Sequence, residues 1–228
     1  MAILVALLGM FTFGAAAGYN EAPQLAQQVR QGKLSPIGER LPANPLVVKP
    51  VERVGEYGGT WRMAMLGRAD TAILLRTVGY ENLVRWSPDW KKVVPNVVES
   101  WEITDGGRVF TFHLRKGMKW SDGTPFTADD IMFWYEDVAL NKELTPTFPK
   151  WLTIDGKPVK VEKVNDFAVK FSFAKPYGLF LQFLACPGGD LYAPKHYPNF
   201  RTQSTGTLTV PMFFVKLRHY LTTMSSPA

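Results

Sequence analysis

The sequence predicts an α+β domain made of β-hairpins with flanking helices, and three observations carry that prediction. Glu99 to Thr104 and Arg108 to Leu114 are strand-like runs separated by the turn-forming triplet Asp105-Gly106-Gly107. In the second run Phe110, Phe112 and Leu114 alternate with Val109, Thr111 and His113. That period of two belongs to a strand with one buried face. Val159 to Val164 and Phe167 to Phe173 repeat the arrangement around Asn165-Asp166. Helical segments do not alternate regularly with single strands, so a repeated βαβ pattern is not expected.

Residues 1–17 read as a secretory signal peptide. Ala2 to Phe13 is almost wholly apolar and leads into Gly14-Ala15-Ala16-Ala17-Gly18, with cleavage expected after Ala17. No basic residue precedes the apolar run, and the first is Arg30. This implies an upstream start or an atypical signal, and an uncleaved anchor is the alternative. Residues 18–56 read as a proline-rich extended segment. A short helix is expected from Ala22 to Gln31. Pro36, Pro42, Pro45 and Pro50 then forbid regular helix and central strand, so this stretch is expected to wrap over the surface of the folded body.

That body is expected over residues 57–200, opening at Tyr57-Gly58-Gly59-Thr60. A strand is expected over residues 60–65, a helix over 72–83 and a short strand over 84–86, ending in a turn at Ser87-Pro88-Asp89. Ser121-Asp122-Gly123-Thr124-Pro125 is another turn. Thr127 is placed to cap a helix whose first turn holds Asp129 and Asp130, and Ile131, Trp134, Tyr135 and Val138 fall on one face of it. The apolar run from Tyr177 to Ala185 is expected as a helix lying against the sheet.

Composition excludes several classes. The chain of 228 residues is 46% hydrophobic and 20% charged, ordinary values for a globular protein. Arg201, Lys216 and Arg218, with no acid among residues 201–228, supply half of the +6 net charge. No basic run exceeds Lys91-Lys92, so the clustered basic face that a nucleic acid requires is not expected. Cys186 is the only cysteine, which rules out an intramolecular disulfide, and no lipid-anchor cysteine follows the leader.

Catalytic patterns are missing from the sequence. His113, His196 and His219 do not pair at metal-ligand spacing, and neither HExxH, nor GxSxG, nor a Gly-rich phosphate loop with Lys-Ser/Thr occurs. Cys186 has apolar neighbours and no activating partner. Asp122, Asp129 and Asp130 could suggest acid/base or metal chemistry, but Asp122-Gly123 is turn chemistry and the other two sit in a first helical turn. The expectation is a non-enzyme with no cofactor and no metal.

Several motifs resemble those of the bacterial extracellular solute-binding proteins of the dipeptide/oligopeptide/nickel class. Tyr80-Glu81-Asn82-Leu83-Val84 is similar to that family's Y/F-E-G/N-L-V element. Val94-Pro95-Asn96-Val97-Val98-Glu99-Ser100-Trp101 resembles its P-x-L-A-E-S-W element. The run from Phe110 to Asp130, with Lys119-Trp120-Ser121-Asp122-Gly123-Thr124-Pro125-Phe126 at its centre, resembles the signature of the family. Asp166 to Phe171 and Leu191-Tyr192-Ala193-Pro194-Lys195-His196-Tyr197 also match. The Tyr57-Gly58-Gly59-Thr60-Trp61-Arg62 opening is similar to a branch in which some members bind oligosaccharides.

This resemblance implies the first lobe of a periplasmic binding protein type II-like fold, with the second lobe missing. It implies the substrate-binding component of an ABC importer, periplasmic or extracellular and secreted through the signal peptide. The implied partners are a peptide or oligosaccharide ligand and an ABC permease in the membrane; no nucleic acid is implied, and the protein should be a monomer. Arg68, Ala69, Asp70 and Thr71 are the ligand-binding residues implied by position, where an extended peptide would pair with backbone as an added strand. An ordinary exposed loop is the alternative reading of each. The match ends near Tyr197-Pro198. Residues 201–228 are expected to be a frameshifted or replaced end, the alternative being a genuine short terminus. A sensory or interaction module built on the same lobe is the competing function, and an exported hydrolase is a more distant one.

Overall fold

Alternating side chains along two hairpins decide the centre of this molecule. The structure is a computed structural model that describes residues 19, 21–60, 62, 64–70, 81–186 and 191–196. In chain order its elements are α1 (Pro23–Arg30), α2 (Ile37–Arg40), β1 (Val84–Trp86), β2 (Val93–Pro95), β3 (Val98–Thr104), β4 (Val109–Leu114), α3 (Ala128–Phe133), β5 (Thr153–Ile154), β6 (Lys157–Pro158), β7 (Lys160–Asn165), β8 (Ala168–Ser172) and α4 (Phe180–Leu184). Strands β3, β4, β8 and β7 form one antiparallel sheet in that order. Both expected hairpins are therefore present, and they join through β4 and β8, with Phe112 opposite Val169 and Phe110 opposite Phe171.

One face of this sheet is dry. Phe110, Phe112 and Leu114 are buried, as are Val169, Phe171 and Val161 on the strands beside them. The other face is polar: Glu102 lies 3.5 Å from His113, and Lys170 lies 3.0 Å from Glu162. The alternation of β4 thus maps onto the two sides of an antiparallel sheet wetted on one face.

Helix α4 closes the dry face, as its apolar run predicts. Phe180 is fully buried and meets the rings of Phe110 at 4.9 Å, Phe173 at 4.8 Å and Phe171 at 5.7 Å. Helix α3 starts after Thr127 as expected. It then widens into a π-turn over Trp134–Ala139, which buries Ala139 and leaves Val138 half-buried. The expected stripe of Ile131, Trp134, Tyr135 and Val138 is therefore kept only in part.

Other expectations need correction. No strand forms over the described residues among 60–65. Met65 and Leu66 are exposed, and the stretch finds no partner strand to receive its backbone among the described residues. The expected helix over 72–83 lies mostly outside the described residues, and residues 81–83 are non-helical and lead into β1. The hairpins β1–β2 and β5–β6 were not expected. The second is built on Asp155-Gly156, whose φ angles of 56° and 72° are those of a tight hairpin turn, so this dipeptide was a usable signal.

The lead-in meets the body through residues 39–44. The Ala43 amide donates to the Lys116 carbonyl at 3.0 Å, and Lys119 Nζ donates to the Glu39 carbonyl at 2.8 Å. Gly117 permits this crossing. Its φ is +83°, and a Cβ there would lie 3.3 Å from the Ala43 nitrogen. The expectation that the prolines forbid helix here is corrected at one place: the single turn of α2 follows directly on Pro36, whose missing N–H costs nothing at a helix start.

Candidate functional site

The segment singled out for ligand contact is a tight turn. Arg68–Asp70 form one turn of 3-10 helix, and the Asp70 amide donates to the Gly67 carbonyl at 3.1 Å. Asp70 Oδ2 accepts from the amides of Leu66 at 2.6 Å and Gly67 at 3.2 Å. Its carboxylate therefore holds the preceding loop in place. Ala69 is exposed and Asp70 half-exposed. Thr71 lies outside the described residues. The local backbone is curled, with two amides committed to Asp70.

The motif residues go inward. Asn82 is buried, and its Nδ2 donates to the carbonyls of Leu184 at 2.8 Å and Cys186 at 2.6 Å, satisfying the open end of α4. Asn96, also buried, donates to the Asn82 carbonyl at 2.8 Å and to Glu81 Oε2 at 3.2 Å. Arg115 Nε donates to the Asn96 carbonyl at 2.9 Å, and Nη1 donates to the Asn44 carbonyl at 2.8 Å. Burial pulls the Arg115 guanidinium below its ordinary pKa, with the Glu99 carboxylate opposing. The Tyr192 hydroxyl donates to the Glu81 carbonyl. One polar chain thus ties the lead-in, the β1–β2 hairpin, the end of α4 and the 191–196 segment together. Sequence reading assigned no role to Asn82, Asn96 or Arg115. The available signal was a polar residue beside the apolar pairs Leu83-Val84 and Val97-Val98.

The three aspartates of the signature are likewise structural. Asp122 Oδ1 accepts from the Thr124 amide at 2.9 Å, closing the turn, and its Oδ2 lies 2.7 Å from His196 Nε2. Burial would raise the Asp122 carboxyl, but the Thr124 amide and His196 outweigh it and hold its pKa below the usual value. Asp129 faces Lys163 at 3.1 Å and Lys195 at 3.8 Å. Asp130 is buried; it accepts from the Thr127 amide at 2.9 Å and the Lys195 amide at 3.0 Å. Burial raises its carboxyl above the ordinary range, although both amides pull the other way. Trp120, Phe126 and Tyr192 pack edge to face beside it, with centroids 5.3 to 5.9 Å apart. Among the described residues no group of three or more His, Cys, Asp or Glu side chains could hold a metal ion. Cys186 is exposed, and its carbonyl serves Asn82.

The chain is similar to several known proteins. Residues 92–208 match the bacterial extracellular solute-binding proteins, family 5 Middle. The chain is 31% identical over 218 residues to the periplasmic alpha-galactoside-binding protein of Rhizobium meliloti, covering 82% of this chain and 31% of that protein. The solved oligopeptide-binding protein OppA matches with 46% identity and a TM-score of 0.70, over 82% of this chain and 29% of that one. The periplasmic binding protein MelB from agrobacterium fabrum C58, solved in complex with stachyose, matches with 26% identity and a TM-score of 0.56, over 82% of this chain and 32% of that one. The chain spans less than a third of the length of each of these proteins.

Proposed function

This chain belongs to family 5 of the bacterial extracellular solute-binding proteins, and from that premise we propose that it supplies the first, ligand-receiving lobe of a peptide receptor serving an ABC importer. The fold is that of part of one lobe of a type II periplasmic binding protein. The observation that carries the peptide reading is the 46% identity and TM-score of 0.70 to an oligopeptide-binding protein over 82% of the chain. The receptor works outside the inner membrane, carrying its ligand to a membrane permease. Residues 1–17 act as its export signal.

Within this reading the Arg68–Asp70 turn and Thr71 after it border the ligand. Asp70 organises the turn by holding the Leu66 and Gly67 amides, which leaves Arg68, Ala69 and Thr71 to meet ligand. The buried Asn82–Asn96–Arg115 hydrogen-bond chain braces the lobe from within. A second reading, oligosaccharide capture, is favoured by the alpha-galactoside-binding and stachyose-bound relatives, each of which aligns with 82% of this chain.

The test is calorimetry on a two-lobed chimera in which residues 57–196 replace the equivalent stretch of the oligopeptide-binding relative. Short peptides should bind, and alpha-galactosides should give no heat. Asp70→Ala should weaken peptide binding by about tenfold, which corresponds to ~1.4 kcal/mol. Binding of galactosides in place of peptides would establish the second reading. Unchanged peptide affinity on replacing both Asp70 and Thr71 with Ala would remove this turn from the site.

A further inference from the structure

The β1–β2 hairpin ends in a tryptophan held in a backbone conformation suited to glycine. Trp90 has a φ of 59° and is 73% exposed. A left-handed backbone is disfavoured for a bulky side chain, and an indole left in water adds nothing to a core. The conformation is imposed from below. The buried Ser87 accepts at its carbonyl from the Trp90 amide at 2.8 Å, and its own amide donates to the Lys92 carbonyl at 2.8 Å. Its hydroxyl donates to Asp89 Oδ1 at 2.6 Å and accepts from the Lys92 amide at 3.1 Å. These bonds set the loop whatever residue stands at position 90, and glycine would adopt it without strain.

The side chain is nevertheless directed. The Trp90 ring lies on Trp86 with centroids 6.2 Å apart and planes at 26°, which props it outward while most of its surface stays in water. Pro88, Lys91 and Lys92 beside it are all exposed, and Arg85 is half-buried on β1. Asp89 is the only acid of the loop. It is bonded to Ser87 and lies 3.4 Å from Lys91. Residues 85–92 thus carry three basic side chains against one acid beside an outward-facing indole.

We propose that this tip is an interfacial anchor: Trp90 enters the headgroup layer of an anionic phospholipid bilayer while Lys91 and Lys92 meet the lipid phosphates. An indole is apolar in its body and polar at its N–H, so it prefers the boundary between water and hydrocarbon. Lysines beside it are drawn to an anionic leaflet. A neutral sugar would use the ring and leave the lysines idle, whereas lipid uses both. One ring and two cations give weak, reversible contact. Such contact concentrates a mobile receptor near a membrane without fixing it there.

The apolar leader contains no tryptophan, so indole emission reports on the hairpin even if the leader touches lipid. The full chain and its Trp90→Phe variant are compared with vesicles of phosphatidylglycerol and brominated phosphatidylcholine, and the difference between them isolates Trp90. That component should move to the blue and be quenched, several-fold less with purely neutral brominated vesicles or after Lys91→Glu with Lys92→Glu. Trp90→Gly should unfold at the same temperature as the parent or higher, since it relieves the backbone. Four results would overturn the proposal. They are water-like, unquenched Trp90 emission with anionic vesicles; equal quenching by neutral ones; a lowered melting temperature in Trp90→Gly, which would make the ring a structural prop on Trp86; and a Trp90 signal moved by oligosaccharide but not by lipid.

Discussion

Asp130, expected in the first turn of a helix, stands there and is buried. It receives two amides, one local from Thr127 and one distant from Lys195. Burial leaves its pKa above the unfolded value of 3.8. A raised folded pKa means that the folded state holds the proton more tightly. The stabilisation this provides is complete below the unfolded pKa and is lost as pH rises through the folded one. Asp130→Asn cannot titrate. The stability advantage of the parent over this variant should therefore be larger at about pH 3 than at pH 7. Urea midpoints of both proteins at each pH measure it, and an advantage that shrinks on acidification would contradict the raised pKa. Arg115 is the counterpart with opposite charge: Lys116 beside it lies on the surface, while Arg115 is buried and spent on two carbonyls.

At the scale of elements, local signals were legible wherever the interaction they encode is local. The start of α3 is one such case. The Thr127 side chain accepts from the Asp129 amide at 3.3 Å and Asp130 returns a bond to the Thr127 amide at 2.9 Å, a reciprocal cap within four residues of chain. Thr127→Ala should cost about 1 kcal/mol in chemical denaturation, and Thr127→Ser should recover most of it. Equal losses in the two variants would show that the methyl group, and not the hydroxyl, matters. The hairpins β3–β4 and β7–β8 were legible from alternation around polar turns. Strand β2 was not, because three residues ending in Pro95 carry no period. The π-turn after Phe133 was not legible either, since it reflects how the helix meets the sheet more than any preference of Trp134–Ala139.

At the scale of the whole molecule, Phe180 joins the parts. It contacts rings from β4, from β8 and, through Trp151 at 6.2 Å, from the turn before β5. Phe180→Ala should cost about 3–5 kcal/mol, with Phe180→Leu less damaging. Equilibrium unfolding measures both, and a loss below about 1 kcal/mol would mean that the aromatic cluster is not the core's keystone. The 191–196 segment is another long-range tie. Ala193 donates its amide to the Asp130 carbonyl at 3.1 Å, and His196 lies 2.7 Å from Asp122, so distant motifs close on one another.

The α+β class, the two central hairpins, the capped start of α3, the apolar helix over the sheet and the family are legible without the fold, because they rest on period, turn chemistry and contiguous motifs. That Asn82, Asn96, Arg115 and Asp130 turn inward became visible only in three dimensions. The reason is physical. Burial and hydrogen-bond partners come from chain that is remote in sequence, as when Asn82 serves the carbonyls of Leu184 and Cys186, and no local pattern encodes which remote group will arrive.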